Sequence, residues 1–369
     1  MRLLLLTNNL TGGAVTNQFI DLSSHLSEYH EVYVGALLGG VDDTAEKELV
    51  ANGASVVRFS FGGADSLTAS KELYRFLNDN VDILNTHLVR AGIVGRIFAA
   101  AVDIPVVVST QQKVHPQHNR KQRLLKGLTL PLADGVTSIS ETVADSFPWW
   151  VSMLLNHTVE QRIIHNAVDP GMFASPPKQP PVGLRQHFES EAPAVISVGR
   201  LIPVKNHELL IDATAKLTET HPDVRTLIVG DGDRREELER RTERRGVADN
   251  VIFTGWLHRS EVAACVAAAD VFAMPSRAEG LGVALIEAMI AAAPVVISDI
   301  PVFHEVVGDT GLFASLSDPV EWARTIETYV SDEALAQANG TAAQERARQV
   351  FSPERVSEGY LHFYATLLS

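Results

Sequence analysis

The chain has 369 residues, a formal net charge of −14 and a single cysteine, Cys265. That length exceeds what one hydrophobic core usually serves, so two domains are expected. The acidic balance argues against broad nucleic-acid binding, and a lone cysteine excludes an internal disulfide and any cysteine-based zinc cluster.

The opening run Met1-Arg2-Leu3-Leu4-Leu5-Leu6-Thr7 is too short for a signal peptide or a membrane span and reads as a buried first strand. Localisation is therefore expected to be cytoplasmic. From Arg2 to about Asp169 short apolar runs alternate with helical stretches, the pattern of a doubly wound parallel sheet. Strands are expected at 2–7, 31–37, 54–59, 82–86, 105–110, 135–138 and 161–165. Between the first strand and a helix opening near Ala14 lies Asn8-Asn9-Leu10-Thr11-Gly12-Gly13. In such sheets ligands bind beyond the carboxyl ends of strands, and Gly12 and Gly13 would let one approach the backbone closely; a tight turn is the plainer alternative. The dinucleotide fingerprint Gly-x-Gly-x-x-Gly is absent.

Two later features of this half concern surfaces. The run 118–126 is locally basic, and Phe147-Pro148-Trp149-Trp150-Val151 is an aromatic cluster. Together they would suit peripheral contact with a membrane at its inner face, against a solvated helix and a packed loop as the plainer reading.

The segment Ala174 to Gly183 carries four prolines and is expected as the linker. Beyond it the alternation restarts, with strands near 194–198, 224–229, 250–253, 270–274 and 294–297 and helices near 206–220, 233–246, 260–268, 283–291 and 318–331. Asp231-Gly232-Asp233 follows an apolar run and reads as a strand-end turn rather than a metal site. Along 353–368, Val356, Tyr360, Phe363, Tyr364 and Leu367 stand at helical spacing, so this helix needs a surface to cover.

The chemistry gathers in two stretches of the second half. In Gly199-Arg200-Leu201-Ile202-Pro203-Val204-Lys205, at a strand's carboxyl end, two cations are spaced so that they could clamp a diphosphate, with a surface salt bridge as the plainer alternative. In Pro275 to Met289 an apolar strand is followed by a loop with Gly280, Leu281 and Gly282, and then by a helix whose N-terminus suits an anion. Glu279 and Glu287 flank that point, and carboxylates there accept hydrogen bonds from sugar hydroxyls. The pattern suits a nucleotide sugar, against a chance pair of glutamates and a simple turn before a helix as the plainer alternative.

Gly199-Arg200 with Lys205, Gly230-Asp231-Gly232, Phe253-Thr254-Gly255, Ala269-Asp270, Pro275-Ser276 and Glu279-x7-Glu287 resemble the donor-binding domain of family 4 retaining glycosyltransferases. Gly12-Gly13, Asp82 to His87 and Asn166-Ala167-Val168-Asp169 extend the likeness to the first half. The resemblance implies an α/β GT-B fold, two Rossmann-like doubly wound domains facing a cleft. The N-terminal acceptor-binding domain would span 1–173 with the returning helix 352–369, and the nucleotide-sugar domain 184–351.

It also implies transfer of a sugar from a nucleotide-diphosphate sugar to a glycan, lipid-linked or small-molecule acceptor, with retention and without a metal or other cofactor. Arg200 and Lys205 would stabilise the departing diphosphate, Glu279 would hold the donor sugar and Glu287 the ribose. Gly12, Gly13, Gly199, Gly230, Gly280, Leu281 and Gly282 would line the donor, with Trp256 and Leu257 beside the base. One position departs from the pattern. The family commonly carries a histidine after the strand ending at Thr110, and here Gln112 stands in that place with His115 close by. Either residue would then serve the reacting centre, and the alternative is a nucleotide-sugar-binding partner subunit that has lost turnover.

Overall fold

The computed structural model describes residues 1–61, 66–155, 159–189 and 192–369. They form two compact units, Met1–Val168 with Phe351–Ser369, and Asp169–Val350.

In the first unit the strands are β1 (Arg2–Thr7), β2 (Glu31–Ala36), β3 (Ser55–Arg58), β4 (Ile83–His87), β5 (Val106–Gln111), β6 (Gly135–Ser138) and β7 (Glu160–Ile163). They pair in parallel in the order β3-β2-β1-β4-β5-β6-β7. Both faces of β1 are covered, which is why it reads as an unbroken apolar run rather than an alternating one. Leu3 and Leu5 join one core with Phe19, Leu22 and Leu26, while Leu4 and Leu6 join another with Leu73, Leu77 and Ala91.

The surface covered by the C-terminal helix Pro353–Leu368 belongs to this unit. Val356, Tyr360, Phe363 and Tyr364 enter the core that holds Leu3 and Leu5, and the Asn85 amide donates to the Tyr364 hydroxyl at 2.9 Å. A Cβ at Gly135 would stand 2.6 Å from the Phe363 ring, so a side chain there would push the helix away.

The second unit holds β8 (Ala194–Val198), β9 (Arg225–Val229), β10 (Val251–Gly255), β11 (Val271–Met274), β12 (Val295–Ser298) and β13 (Leu312–Ala314). They pair in the order β10-β9-β8-β11-β12-β13, and β13 is an addition to the strands expected from sequence. The unit begins earlier than the proline segment would place it. Phe173 is fully buried within it, with the Arg259 guanidinium 5.6 Å from its ring centre. The segment Ala174 to Gly183 therefore lies inside the second unit, and the chain passes from one unit to the other after Val168.

In each sheet the strand order reverses beside its first strand, at β1 and β4 in one unit and at β8 and β11 in the other. Such reversals open a crevice at the strands' carboxyl ends, where the loops diverge. Among the described residues no helix is long and apolar enough to cross a membrane.

Candidate active site

The two chemical stretches of the second unit meet at its reversal point. Residues 199–205 leave β8 and residues 275–282 leave β11, so strands adjacent in the sheet deliver both loops to one crevice. Lys205 Nζ donates to Glu279 Oε1 at 2.6 Å, and the Ser276 hydroxyl donates to the same oxygen at 2.8 Å. The Arg277 N–H donates to the Val204 carbonyl at 2.8 Å, tying the loops by backbone as well. Arg200 is exposed and, among the described residues, has no carboxylate partner.

Glycines make these approaches possible. Gly230 sits at φ 128°, and a Cβ there would stand 2.2 Å from the Gly199 carbonyl oxygen. A Cβ at Gly199 would stand 3.2 Å from Lys205 Cε, so the lysine chain folds across bare backbone. Both glycines thus act by bringing backbone close to backbone or to Lys205.

The helix Val283–Ile290 begins at Gly282, which is left-handed at φ 92° and supplies no side-chain cap. Its first N–H groups, from Val283 and Ala284, take no backbone acceptor among the described residues, which leaves partial positive charge facing the crevice beside Leu281. Glu287, one helical face further along, accepts from Arg259 Nε at 3.0 Å. Burial pushes its carboxyl above the usual range, and Arg259 offsets part of that. Trp256 is exposed and Leu257 half-buried in the loop after β10, two strands from β8. Asp231 accepts from its neighbour's Gly232 N–H at 2.7 Å, as a strand-end turn does.

In the first unit, Gly12 and Gly13 are both at positive φ with open space around them, at the mouth of the helix Ala14–Ser27. Gln112 is embedded rather than free. Its amide nitrogen donates to Gln18 Oε1 at 2.9 Å and lies 3.1 Å from His87 Nδ1, while its oxygen accepts from the Asn166 amide at 3.0 Å. His87 is wholly buried, and burial pulls its pKa down to about 3, so the ring is neutral near pH 7. Gln18, His87 and Asn166 carry no sequence signal as a group, because they come from separate elements.

His115 does not join them. It lies in the short turn His115–Gln117, buried, with its ring edge-on to Phe147 and to His118. It does not line the cavity that Gln112 lines, so the two residues have different surroundings. The basic run 118–126 is likewise not wholly solvated. Lys126 points inward and is buried, and Trp150 packs where a Cβ on Gly127 would stand, whereas Trp149 is exposed.

The whole chain superposes on Anabaena HepE in complex with UDP with a TM-score of 0.83, covering 99% of this chain and 100% of that one at 22% identity. Two parallel α/β units of this kind define a GT-B fold. Residues 185–346 match the family model of glycosyl transferases group 1, and residues 15–156 match the glycosyl transferase 4-like domain. The chain belongs to the group 1 glycosyltransferases. It is 27% identical over 308 residues to the 2-deoxystreptamine glucosyltransferase of Streptomyces kanamyceticus, covering 78% of each chain. It is 33% identical over 179 residues to the lipopolysaccharide core biosynthesis glycosyltransferase LpsE of Rhizobium meliloti. That second match covers 48% of this chain and 51% of the relative, so it spans about half the relative's length.

Proposed function

We propose that this glycosyltransferase moves a sugar from a nucleotide-diphosphate sugar to a glycan, lipid-linked or small-molecule acceptor, with retention of configuration and without a metal. The observation that carries the reading is the Lys205–Glu279 contact beside the uncapped helix N-terminus at the β8/β11 reversal. A cation, bare N–H groups and a carboxylate within one crevice suit a phosphate joined to a sugar. As the bond from C1 to the diphosphate oxygen breaks, its electron pair leaves with the nucleoside diphosphate and C1 becomes oxocarbenium-like. The rate then depends on stabilising negative charge on the leaving group. Arg200, Lys205 and the amides from Leu281 onward supply that stabilisation, with Glu279 on the sugar and Glu287 on the ribose. Arg259 would orient Glu287.

The UDP bound to the HepE relative supports a nucleoside diphosphate as the leaving group. The first unit is assigned to the acceptor, with Gln112 as part of its floor. Peripheral membrane contact is included in the proposal, supported by the exposed Leu124, Leu128, Trp149 and Met153. The reading of a partner subunit without turnover is not favoured, because the named relatives are transferases.

The test is a thermal-shift panel of nucleoside diphosphates and their sugars, followed by turnover of the best binder in the presence of a chelator. Turnover that survives chelation and yields the donor's own anomeric configuration is the expected result. Turnover abolished by chelation and restored by magnesium or manganese would overturn the metal-free part, and an inverted product the retaining part.

A further inference from the structure

Within the first unit, the ends of β4 and β5 border a cavity of about 280 Å³. Arg96, Lys113, His118 and Lys126 line it, and among the described residues no aspartate or glutamate does. Two of these cations are buried, Arg96 at 2% exposure and Lys126 at 4%. Buried charges are ordinarily paired, because a desolvated ion without a counterion is costly.

Among the described residues neither cation has such a partner. Among the described residues Arg96 donates to neutral acceptors, from Nε to the Thr129 carbonyl at 3.0 Å, from Nη1 to Ser109 Oγ at 2.5 Å and from Nη2 to Thr129 Oγ1 at 2.7 Å. These bonds fasten the helix Val89–Ala99 to the end of the helix Arg120–Thr129, which accounts for part of its presence. They do not account for Lys126. Its ammonium has His118 Nε2 at 3.4 Å and the Phe147 ring at 5.3 Å, and among the described residues no carboxylate. Burial lowers the Lys126 pKa to about 7 with Arg96 adding repulsion, and burial lowers that of Arg96 to about 9. The fold thus holds two cations close together at an energetic disadvantage, facing a space lined with further donors from Lys113, Gln117 and Gln122.

We propose that this cavity is an oxyanion subsite in which Arg96 and Lys126 hold a phosphate group carried by the acceptor. Naming the ligand an acceptor rests on the transferase reading, whereas the charge of the cavity does not. A phosphate monoester brings nearly two negative charges and three acceptor oxygens, matching two buried cations better than a single carboxylate does. Gln112 lines the same cavity, so the anion would sit next to the polar cluster assigned to the acceptor floor.

The test is calorimetric titration of the full chain with methyl phosphate. An Arg200→Ala/Lys205→Ala background silences the proposed donor site, so a loss of nucleoside diphosphate affinity there tests the transferase reading separately. In that background methyl phosphate should still bind, and Lys126→Met should weaken it about tenfold or more. Lys126→Met alone should keep its nucleoside diphosphate affinity. No methyl phosphate binding in the background, or the same binding after Lys126→Met, overturns the proposal. Lys113→Ala, at an exposed rim position, serves if Lys126→Met fails to fold: about threefold weaker binding is expected, and unchanged binding overturns the site. Competition by glucose 6-phosphate assigns a soluble sugar phosphate, competition by phosphatidic acid vesicles but not phosphatidylcholine assigns a lipid headgroup, and competition by neither overturns the link to the acceptor.

Discussion

Lys205 Nζ lies 2.6 Å from Glu279 Oε1, so the residue expected to meet the diphosphate and the residue expected to meet the sugar are joined to each other. Side-chain exposures of 17% and 15% place the pair in a recess rather than on open surface. A phosphate entering the crevice therefore competes with Glu279 for the ammonium. Replacing Arg200 or Lys205 by alanine should remove charge-assisted bonds of about 1.5–3 kcal/mol each and weaken nucleoside diphosphate binding roughly tenfold or more. Glu279→Ala should behave oppositely, holding or tightening nucleoside diphosphate affinity while the added affinity for the sugar is lost. Calorimetry on the three variants checks this, and unchanged affinity in both cation variants would remove the site.

Gln112 bonds Gln18 and Asn166 and lies within reach of His87, all inside the first unit. Gln112→Ala leaves buried polar groups without partners and should destabilise the chain by about 1–3 kcal/mol. Turnover should fall as well, with little change in nucleoside diphosphate affinity. His115→Ala, made at a ring packed on Phe147, should cost stability and leave donor affinity unaltered. Urea midpoints read beside turnover separate the two, and a Gln112→Ala chain as stable as wild type would contradict the network.

Acid should destabilise the first unit. Burial lowers His87 to about 3 and His115 and His118 to about 4, from an ordinary 6.5; Lys126 adds repulsion at the last two. Between about pH 4 and 6.5 the unfolded chain binds protons that the native rings refuse, so stability rises with pH across that window and is lost as pH falls through it. Urea midpoints at pH 7 and pH 5 should differ, and His87→Gln or His118→Gln should narrow the difference. Equal midpoints in the wild type would contradict burial of these rings.

Leu124, Leu128, Trp149 and Met153 are exposed, and the helix that carries the first two also carries the exposed Arg120 and Lys121. Sedimentation with anionic but not neutral vesicles is expected, weakening as salt rises. Trp149→Ala should lower the bound fraction. Absence of binding at low salt would leave a soluble acceptor as the better reading.

Much of the fold was legible because its signals are local. The apolar run Leu3 to Leu6 reads as a doubly covered strand in a dozen residues of context, and the same holds for 271–274 before the glycine loop. The Arg200/Lys205 and Glu279/Glu287 sets were legible for a similar reason: each stands on a strand-end loop or the helix that follows it, and strand order carries such loops to one crevice. The helical spacing of Val356 to Leu367 announced a buried face, but only the packed structure decided that this face covers the first unit. The proline segment could be read as an interruption of regular structure, yet burial of Phe173 decided on which side of the domain boundary it falls.

Gln112 meets partners 94, 25 and 54 residues away, and no periodicity links such distant positions. Lys126 belongs to a run whose composition reads as solvated, because sequence reports charge without reporting which side of a helix is covered. Trp150 against Gly127 and Arg96 against Thr129 decide that, turning a surface cation into a buried one beside a cavity that no described carboxylate lines. Local period and turn chemistry determine the elements and their order; burial and pairing of polar groups arise only where distant elements pack.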